Sequence, residues 1–210
     1  MLKFCYLGAE GFVVFEILKV YFIMPFPGSQ QIDSLDLAYF IHTYRSYFRG
    51  IFGVMIVMGA IKAFQGKYKW IPSLVLLVAL YVIYSLNFEM SADAMFRQPE
   101  KLTFKPQSEN LLKDSSMVIG VANNGEAKAY PIRFISYHHQ VQDVIGGKSV
   151  IITYCNVCRT GRVFEPVVNN RPEKFRLVGM DHFNAMFEDA TTKSWWRQVT
   201  GKAVAGPLKG

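Results

Sequence analysis

The amino-acid sequence predicts a membrane anchor of three transmembrane α-helices, followed by a β-rich α+β domain outside the cytoplasm. Long apolar runs occupy most of residues 1–88, whereas short strand-like runs separated by turn residues occupy residues 117–210. Residues 1–88 carry 7 Lys and Arg against 4 acidic residues, and the rest of the chain carries 16 against 12. We therefore expect a transmembrane domain over residues 1–90, a connector over 91–116 and an extracytoplasmic domain over 117–210.

The three predicted spans are the apolar runs at residues 4–26, 51–66 and 70–88. A helix needs about 20 apolar residues to cross a bilayer, so the first and third runs are long enough alone. The second is long enough if its helix begins near Tyr44. We expect the first run to be retained, because it is too long for a cleaved signal peptide and no small-residue cleavage site follows it.

The loops predict the orientation of the anchor. The loop between the second and third spans contains Lys62, Lys67 and Lys69 and no acidic residue, so the positive-inside rule places it in the cytoplasm. Arg45 and Arg49, on the opposite side, are discordant. The N-terminus then lies on the cytoplasmic side of a bacterial inner membrane. The second domain lies on the other side, in the periplasm or its equivalent. The lipid bilayer is the expected partner; nucleic acid is not, because neither half contains a basic block.

The first span contains Glu10, Glu16 and Lys19, and ionisable groups at that depth are costly. Glu16 and Lys19 are three residues apart, so they share a helix face and can pair. Three interpretations stay open: an ion pair that fixes helix packing, a proton or quinone site, or an interfacial helix that does not cross fully.

The second domain contains the turn signals of an antiparallel sheet. Asn123-Asn124-Gly125 between two strand-like runs predicts a hairpin. We expect a short helix over residues 134–144, ended by Gly146-Gly147. Further strands are predicted at residues 150–154, 162–168 and 174–178, with a turn at Asn169-Asn170.

Cys155 and Cys158 form a C-x-x-C pattern between two of these strands. A thioredoxin-type motif opens a helix instead, and residues 159–162 are poor helix formers, so that chemistry is disfavoured. A turn between strands suits a pair of metal ligands, but two thiolates do not complete a tetrahedral site. The other ligands would come from His138, His139, His182, Asp181 or Asp189.

Met180 adds a soft ligand near His182, and two Cys, one or two His and a Met form a set that copper favours, although zinc or iron also fit. His138 and His139 are adjacent, so only one is expected to meet the cysteines. Three interpretations stay open for the cysteine pair: a structural disulfide or inert thiols, a transition-metal site, and thiol redox chemistry.

Two further features are weaker candidates. Arg159 flanks the cysteines, where it could lower the pKa of a thiol, hold an anion or lie solvated. Trp195 and Trp196 could line a pocket or belong to the core. No Ser-His-Asp spacing, phosphate-binding loop or H-E-x-x-H motif is present.

Several of these elements, in this order, resemble a prokaryotic family catalogued as domain of unknown function 3179. They are Ala129-Tyr130-Pro131, Tyr137-His138-His139, Gly146-Gly147, Thr153-Tyr154-Cys155-Asn156-Val157-Cys158, Ser194-Trp195-Trp196 and Gly206-Pro207-Leu208. The resemblance covers about residues 91–210 and implies a shared fold and site, but no activity. The second His of the pair departs from the family pattern.

Two functions of different classes follow. In the first, the outer domain is a redox or metal-binding module, with Cys155, Cys158 and His138 at its centre. In the second, it is a non-catalytic accessory subunit or binding module of a membrane protein complex, and the cysteines form a structural disulfide.

Overall fold

Helices form the first of two units in the chain, and antiparallel sheets form the second. The computed structural model describes residues 2–210, and the units divide between Ala94 and Met95. N-terminal helices followed by a β-rich domain are therefore confirmed.

The helical unit has two segments that are long and apolar enough to cross a membrane, Arg45–Phe64 and Trp70–Glu89. The first helix covers most of the predicted first span but carries four charged residues, Lys3, Glu10, Glu16 and Lys19, so a third span stays a prediction. The elements are α1 (Leu2–Tyr21), a 3-10 helix (Ser29–Gln31), α2 (Leu35–Thr43), α3 (Arg45–Phe64), α4 (Trp70–Tyr84), a π-helix that continues α4 (Ser85–Glu89), and α5 (Ala92–Met95).

Helices α1 and α3 pack closely and run antiparallel, since the start of α1 meets the end of α3. Cys5, buried as a small apolar side chain, lies against Gly59. A Cβ atom on Gly59 would lie 2.2 Å from the backbone nitrogen of Cys5, so only glycine permits this approach. Small residues commonly allow such backbone contact between helices in membranes.

The second unit consists of short antiparallel sheets. β1 pairs with β2, β3–β4–β5 form a three-stranded sheet, β6 pairs with β7, and the order of the largest sheet is β11-β10-β9-β8. The elements are a 3-10 helix (Gln107–Glu109), β1 (Val118–Asn123), β2 (Glu126–Pro131), α6 (Ile132–His138), β3 (Gln140–Ile145), β4 (Lys148–Cys155), β5 (Thr160–Phe164), β6 (Val167–Val168), β7 (Arg171–Pro172), β8 (Phe175–Asp181), β9 (Asn184–Asp189), β10 (Trp195–Arg197) and β11 (Lys202–Ala205).

The helix predicted over residues 134–144 is partly wrong. Helix α6 ends at His138, and the rest of the range forms strand β3. His139 ends the helix with a left-handed backbone (φ 61°), and Gly146-Gly147, with φ 55° and 78°, form the hairpin turn to β4. Consecutive glycines with positive φ are typical of such a turn, and here they do not stop a helix.

The core beneath β1–β4 consists of side chains from several elements: Tyr130, Ile135, Val141, Ile145, Val150 and Ile152. In the largest sheet, β9 is buried along its whole length. The last residue of β4, Cys155, and the first residue of β9, Asn184, are both buried.

We expect Gly59→Ala to destabilise the helical unit by about 1–3 kcal/mol, the usual cost of overpacking, because the added methyl group meets backbone atoms. SDS titration of the protein in micelles would measure the change. Gly53→Ala is the matched control, since a methyl group added there would meet no atom within 4 Å. Equal destabilisation by both substitutions would contradict close packing at Gly59.

Candidate functional site at the cysteine pair

The cysteine turn (Cys155–Cys158) connects β4 to β5. Cys155 is the last residue of β4 and pairs with Thr160, the first residue of β5. Arg159 takes a left-handed conformation (φ 47°) that closes the connection. The Cα atoms of the two cysteines are 5.6 Å apart and the structure joins their sulfurs as a disulfide, a separation within the usual range.

The two sulfur atoms have different surroundings. Cys155 is fully buried, and its Sγ lies 3.5 Å from the carbonyl oxygen of Phe183 and 3.4 Å from the backbone nitrogen of Cys158. Cys158 is half-buried, and Asn184 Nδ2 lies 3.1 Å from its Sγ. Within the cysteine turn, each sulfur also faces a backbone group of the other cysteine, since the Cys158 N–H donates to Cys155 Sγ and the Cys155 carbonyl lies 4.0 Å from Cys158 Sγ. The contacts from outside this turn differ, because Phe183 offers an acceptor to Cys155 and Asn184 offers a donor to Cys158.

The Phe183 carbonyl and the Asn184 amide lie at the turn between β8 and β9. His182 and Phe183 form this turn with left-handed backbones, φ 47° and 62°. The sequence did not reveal the turn, because histidine and phenylalanine are not typical turn residues. Asn184 and the Phe183 carbonyl were thus missed as site groups.

His182 lies at this turn, where its Nδ1 donates to Asp181 Oδ1 at 2.7 Å. Its side chain is half exposed. The other carboxylate oxygen of Asp181 pairs with Arg197 Nη2. Asp181 thus orients both the histidine ring and the guanidinium group.

His138 and His139 face different neighbours. His138 Nδ1 contacts the carbonyl oxygen of Arg97. His139 is buried, packs edge-on against Phe96, and its Nδ1 donates to the Tyr154 carbonyl at 3.2 Å. Both rings therefore have partners other than the cysteine sulfurs.

The remaining candidate residues lie mainly in the largest sheet. Met180 and Trp195 are buried in it, and Trp195 Nε1 donates to Glu188 at 3.0 Å. The carboxylate of Asp189 accepts from Trp196 Nε1 at 2.9 Å and from Thr192 and Ser194. Burial raises the pKa of Asp189, but these hydrogen bonds outweigh it and hold the pKa below its usual value. Among residues 2–210, no group of three or more His, Cys, Asp or Glu side chains is placed to bind a metal ion.

The ionisable residues of α1 separate into two kinds. Glu10 is exposed, whereas Glu16 is fully buried and pairs with Lys19. Glu16 also accepts from Arg49 Nε at 2.6 Å and from Asn87 Nδ2 at 2.9 Å. These contacts connect α1, α3 and the π-helix, an arrangement that favours the interpretation as an ion pair that fixes helix packing.

We expect the stability of the β-rich unit to fall as the pH drops below about 6.5, the ordinary pKa of histidine. Burial lowers the pKa of His139, against the smaller opposite effect of its bond to Tyr154. Below that pH, His139 binds a proton in the unfolded chain more readily than in the folded chain. Protonation therefore favours unfolding. Urea unfolding followed by tryptophan fluorescence would measure the dependence.

His139→Asn should weaken this pH dependence, since asparagine tolerates the left-handed backbone at that position. His182→Asn, at another left-handed position with an exposed side chain, is the matched control and should retain it. An unchanged pH dependence in His139→Asn would contradict the assignment of this dependence to His139.

The comparison with protein families covers the unit that contains the cysteine turn. Residues 97–210, more than half of the chain, match the family model described as "Protein of unknown function (DUF3179)". No curated protein and no solved structure shows significant similarity to the chain. The match confirms the resemblance and includes both turns of the candidate site, and the chain belongs to the DUF3179 family.

Proposed function

We propose that this protein is a membrane-anchored module that exchanges thiols and disulfides through Cys155 and Cys158. The observation that carries the proposal is the difference between the two sulfur environments. The β8–β9 turn brings an acceptor to the buried Cys155 and a donor to the more exposed Cys158, and a disulfide with a purely structural role needs neither of these groups. A reduced pair uses both.

In the reduced state, Cys158 is the nucleophile. Its half-buried Sγ is the more accessible one, and the amide of Asn184 stabilises a thiolate by donating a hydrogen bond. Cys155 stays protonated, because complete burial disfavours a charged sulfur and the Phe183 carbonyl accepts its S–H. The one N–H at this sulfur, from Cys158, lies at 3.4 Å and is more distant than the Asn184 amide at 3.1 Å from Cys158 Sγ. The thiolate form is the attacking species in exchange.

The exchange balances as follows. The Cys158 thiolate attacks a disulfide of a partner molecule, forms a mixed disulfide and releases one partner thiolate, which takes up a proton. Cys155 then loses its proton and attacks Cys158 Sγ. The Cys155–Cys158 bond forms and the second partner thiolate leaves. The partner disulfide is reduced by two electrons and the protein dithiol is oxidised; the reverse sequence oxidises a partner dithiol.

The proposed location is outside the cytoplasm, on a three-span anchor with its N-terminus inside. Two apolar helices support this topology, with Lys62 in the last turn of α3 and Lys67 and Lys69 in the loop that follows it. An extracytoplasmic compartment is oxidising, so a disulfide can form and persist there.

A structural role is the second candidate. The complete burial of Cys155 favours it, because a buried sulfur resists reduction, and the domain would then be an accessory or binding subunit of a membrane complex. A copper, zinc or iron ion at the two thiolates also remains a prediction. Stoichiometric metal in the purified reduced protein would favour that site over exchange.

After reduction of the full chain in micelles, we expect iodoacetamide to label Cys158 at least roughly ten times faster than Cys155, because thiolate character and exposure control the rate. Mass spectrometry of timed samples would measure both rates. Asn184→Asp should slow labelling of Cys158 at neutral pH, since the variant loses the amide donor and raises the pKa of the thiol.

Asn156→Asp is the matched control, because it adds the same charge beside the cysteines but leaves Asn184 in place. Asn156 donates to the carbonyl of Ser136 and not to a sulfur. Equal labelling of the two cysteines, or equal slowing by both variants, would contradict the assigned roles.

The topology predicts that alkaline phosphatase fused after Gly210 is active, because that enzyme requires the disulfides of an oxidising compartment. A fusion after Gly66, in the basic loop, should be inactive. Activities per amount of fusion protein in intact cells would provide the comparison. The opposite pattern would place the cysteine pair in the cytoplasm.

A further inference from the structure

Two arginines beside the cysteine turn take no part in the exchange chemistry itself. Arg159 follows Cys158 directly, and Arg162 lies on β5, three residues further along the chain. Both residues are exposed. Among residues 2–210, neither guanidinium group forms an ion pair with an acidic side chain. Their charges are therefore open to a ligand that approaches the cysteines.

The strand register places Arg162 close to the cysteine turn. Thr153 pairs with Arg162, and Cys155 pairs with Thr160. Arg162 and Cys155 are therefore diagonal neighbours on one face of the β4–β5 pair. Diagonal neighbours in an antiparallel pair are about 7–8 Å apart, which is within reach of a long side chain.

A series of hydrogen bonds also connects Arg162 to Cys158. Arg162 Nε donates to the backbone carbonyl of Val199 at 3.2 Å. The backbone N–H of Val199 donates to Asn184 Oδ1 at 3.1 Å, and Asn184 Nδ2 lies 3.1 Å from Cys158 Sγ. The guanidinium group is thus anchored by the same residue that orients the Asn184 amide at the sulfur.

Acidic residues on the neighbouring elements already have basic partners. Asp181, at the end of β8, pairs with Arg197, and Glu165, which follows β5, lies 3.0 Å from Lys148 Nζ. The two arginine charges also exceed the single charge of a Cys158 thiolate. The reactive sulfur therefore lies in positively charged surroundings even when it is ionised.

We propose that the exchange partner is anionic, namely a disulfide or dithiol with a carboxylate close to its sulfur atoms. A guanidinium group stays charged at physiological pH and binds a carboxylate through two parallel hydrogen bonds. Arg159 and Arg162 hold this carboxylate while Cys158 attacks the partner sulfur, and the covalent steps of the exchange stay the same. This inference rests on the proposed exchange function and names the chemical class of its partner.

The test uses three symmetrical disulfides with equal two-carbon arms: anionic dithiodipropionate, neutral hydroxyethyl disulfide and cationic cystamine. The reduced full chain, in nanodiscs of zwitterionic lipid, is mixed with each probe, and mass spectrometry of acid-quenched samples measures the rate of thiol loss. Each rate is divided by the rate of dithiothreitol with the same probe, which corrects for the reactivity of the probe itself. At low ionic strength, we expect the corrected rate of dithiodipropionate to be about tenfold that of cystamine, because local charge attracts the anion.

Salt and a second anionic probe refine the result. About 1 M salt should abolish the preference, since the Debye length falls to about 3 Å. A disulfide-linked dimer of an acidic peptide, measured beside dithiodipropionate, distinguishes the two sources of this chemistry. The faster of the two identifies a polypeptide or a small-molecule partner, and either result supports an anionic one.

Two substitutions locate the preference. Arg159→Asn removes one charge with a residue that tolerates the left-handed backbone there, and Arg162→Gln removes the other. Each should lower the anionic-to-cationic ratio about threefold, and the double variant should bring it to about one. A change in thiolate reactivity alone would alter the rates of all three probes equally, so the ratio reports on the partner's charge.

Arg171→Gln is the matched control. It also removes an exposed arginine charge, but β7 follows the end of β5 that lies away from the cysteine turn, so the ratio should not change. Thermal unfolding would confirm that each variant folds.

Equal corrected rates for the anionic and cationic probes would overturn the proposal. A ratio that survives in the double variant, or that Arg171→Gln lowers as much, would also overturn it. In these cases the reduced protein still reacts, so thiol exchange stands. No reaction with any probe would contradict the exchange function itself, and this inference with it.

Discussion

The tight turn between β8 and β9 is the constraint on which the candidate site depends. His182 and Phe183 both adopt left-handed backbones, and this directs the Phe183 carbonyl and the Asn184 amide toward the two cysteine sulfurs. Most side chains disfavour that conformation, so the surrounding contacts have to compensate. Buried β9 and the ion pair between Asp181 and Arg197 supply such contacts.

Gln198 and Val199, which follow β10, connect the largest sheet to the strands around the cysteine turn. Gln198 contacts Thr153 and Thr160, which belong to the two strands that the cysteine turn joins. The backbone N–H of Val199 donates to Asn184 Oδ1 at 3.1 Å. The Nδ2 of the same Asn184 side chain donates to Cys158 Sγ.

Local chemistry explains which elements the sequence predicted. The hairpin at Asn124-Gly125 follows from residues that favour positive φ, and the apolar α3 and α4 follow from length and composition. Periodicity could not separate α6 from β3, because residues 134–144 change from helix to strand at His139. The contacts of Asn184 and Gln198 depend on pairing between distant strands, which no local pattern records. The cysteine pair itself was visible, but its partners were not.

Thiol exchange requires a disulfide that opens and closes under physiological conditions. The most direct test is the reduction potential of Cys155–Cys158 in the full chain, measured by equilibration with glutathione redox buffers. We predict a reversible two-electron couple above about −300 mV, the value below which structural disulfides typically lie. A couple below that value, or a pair that glutathione cannot reduce, would contradict thiol exchange and favour a structural bridge.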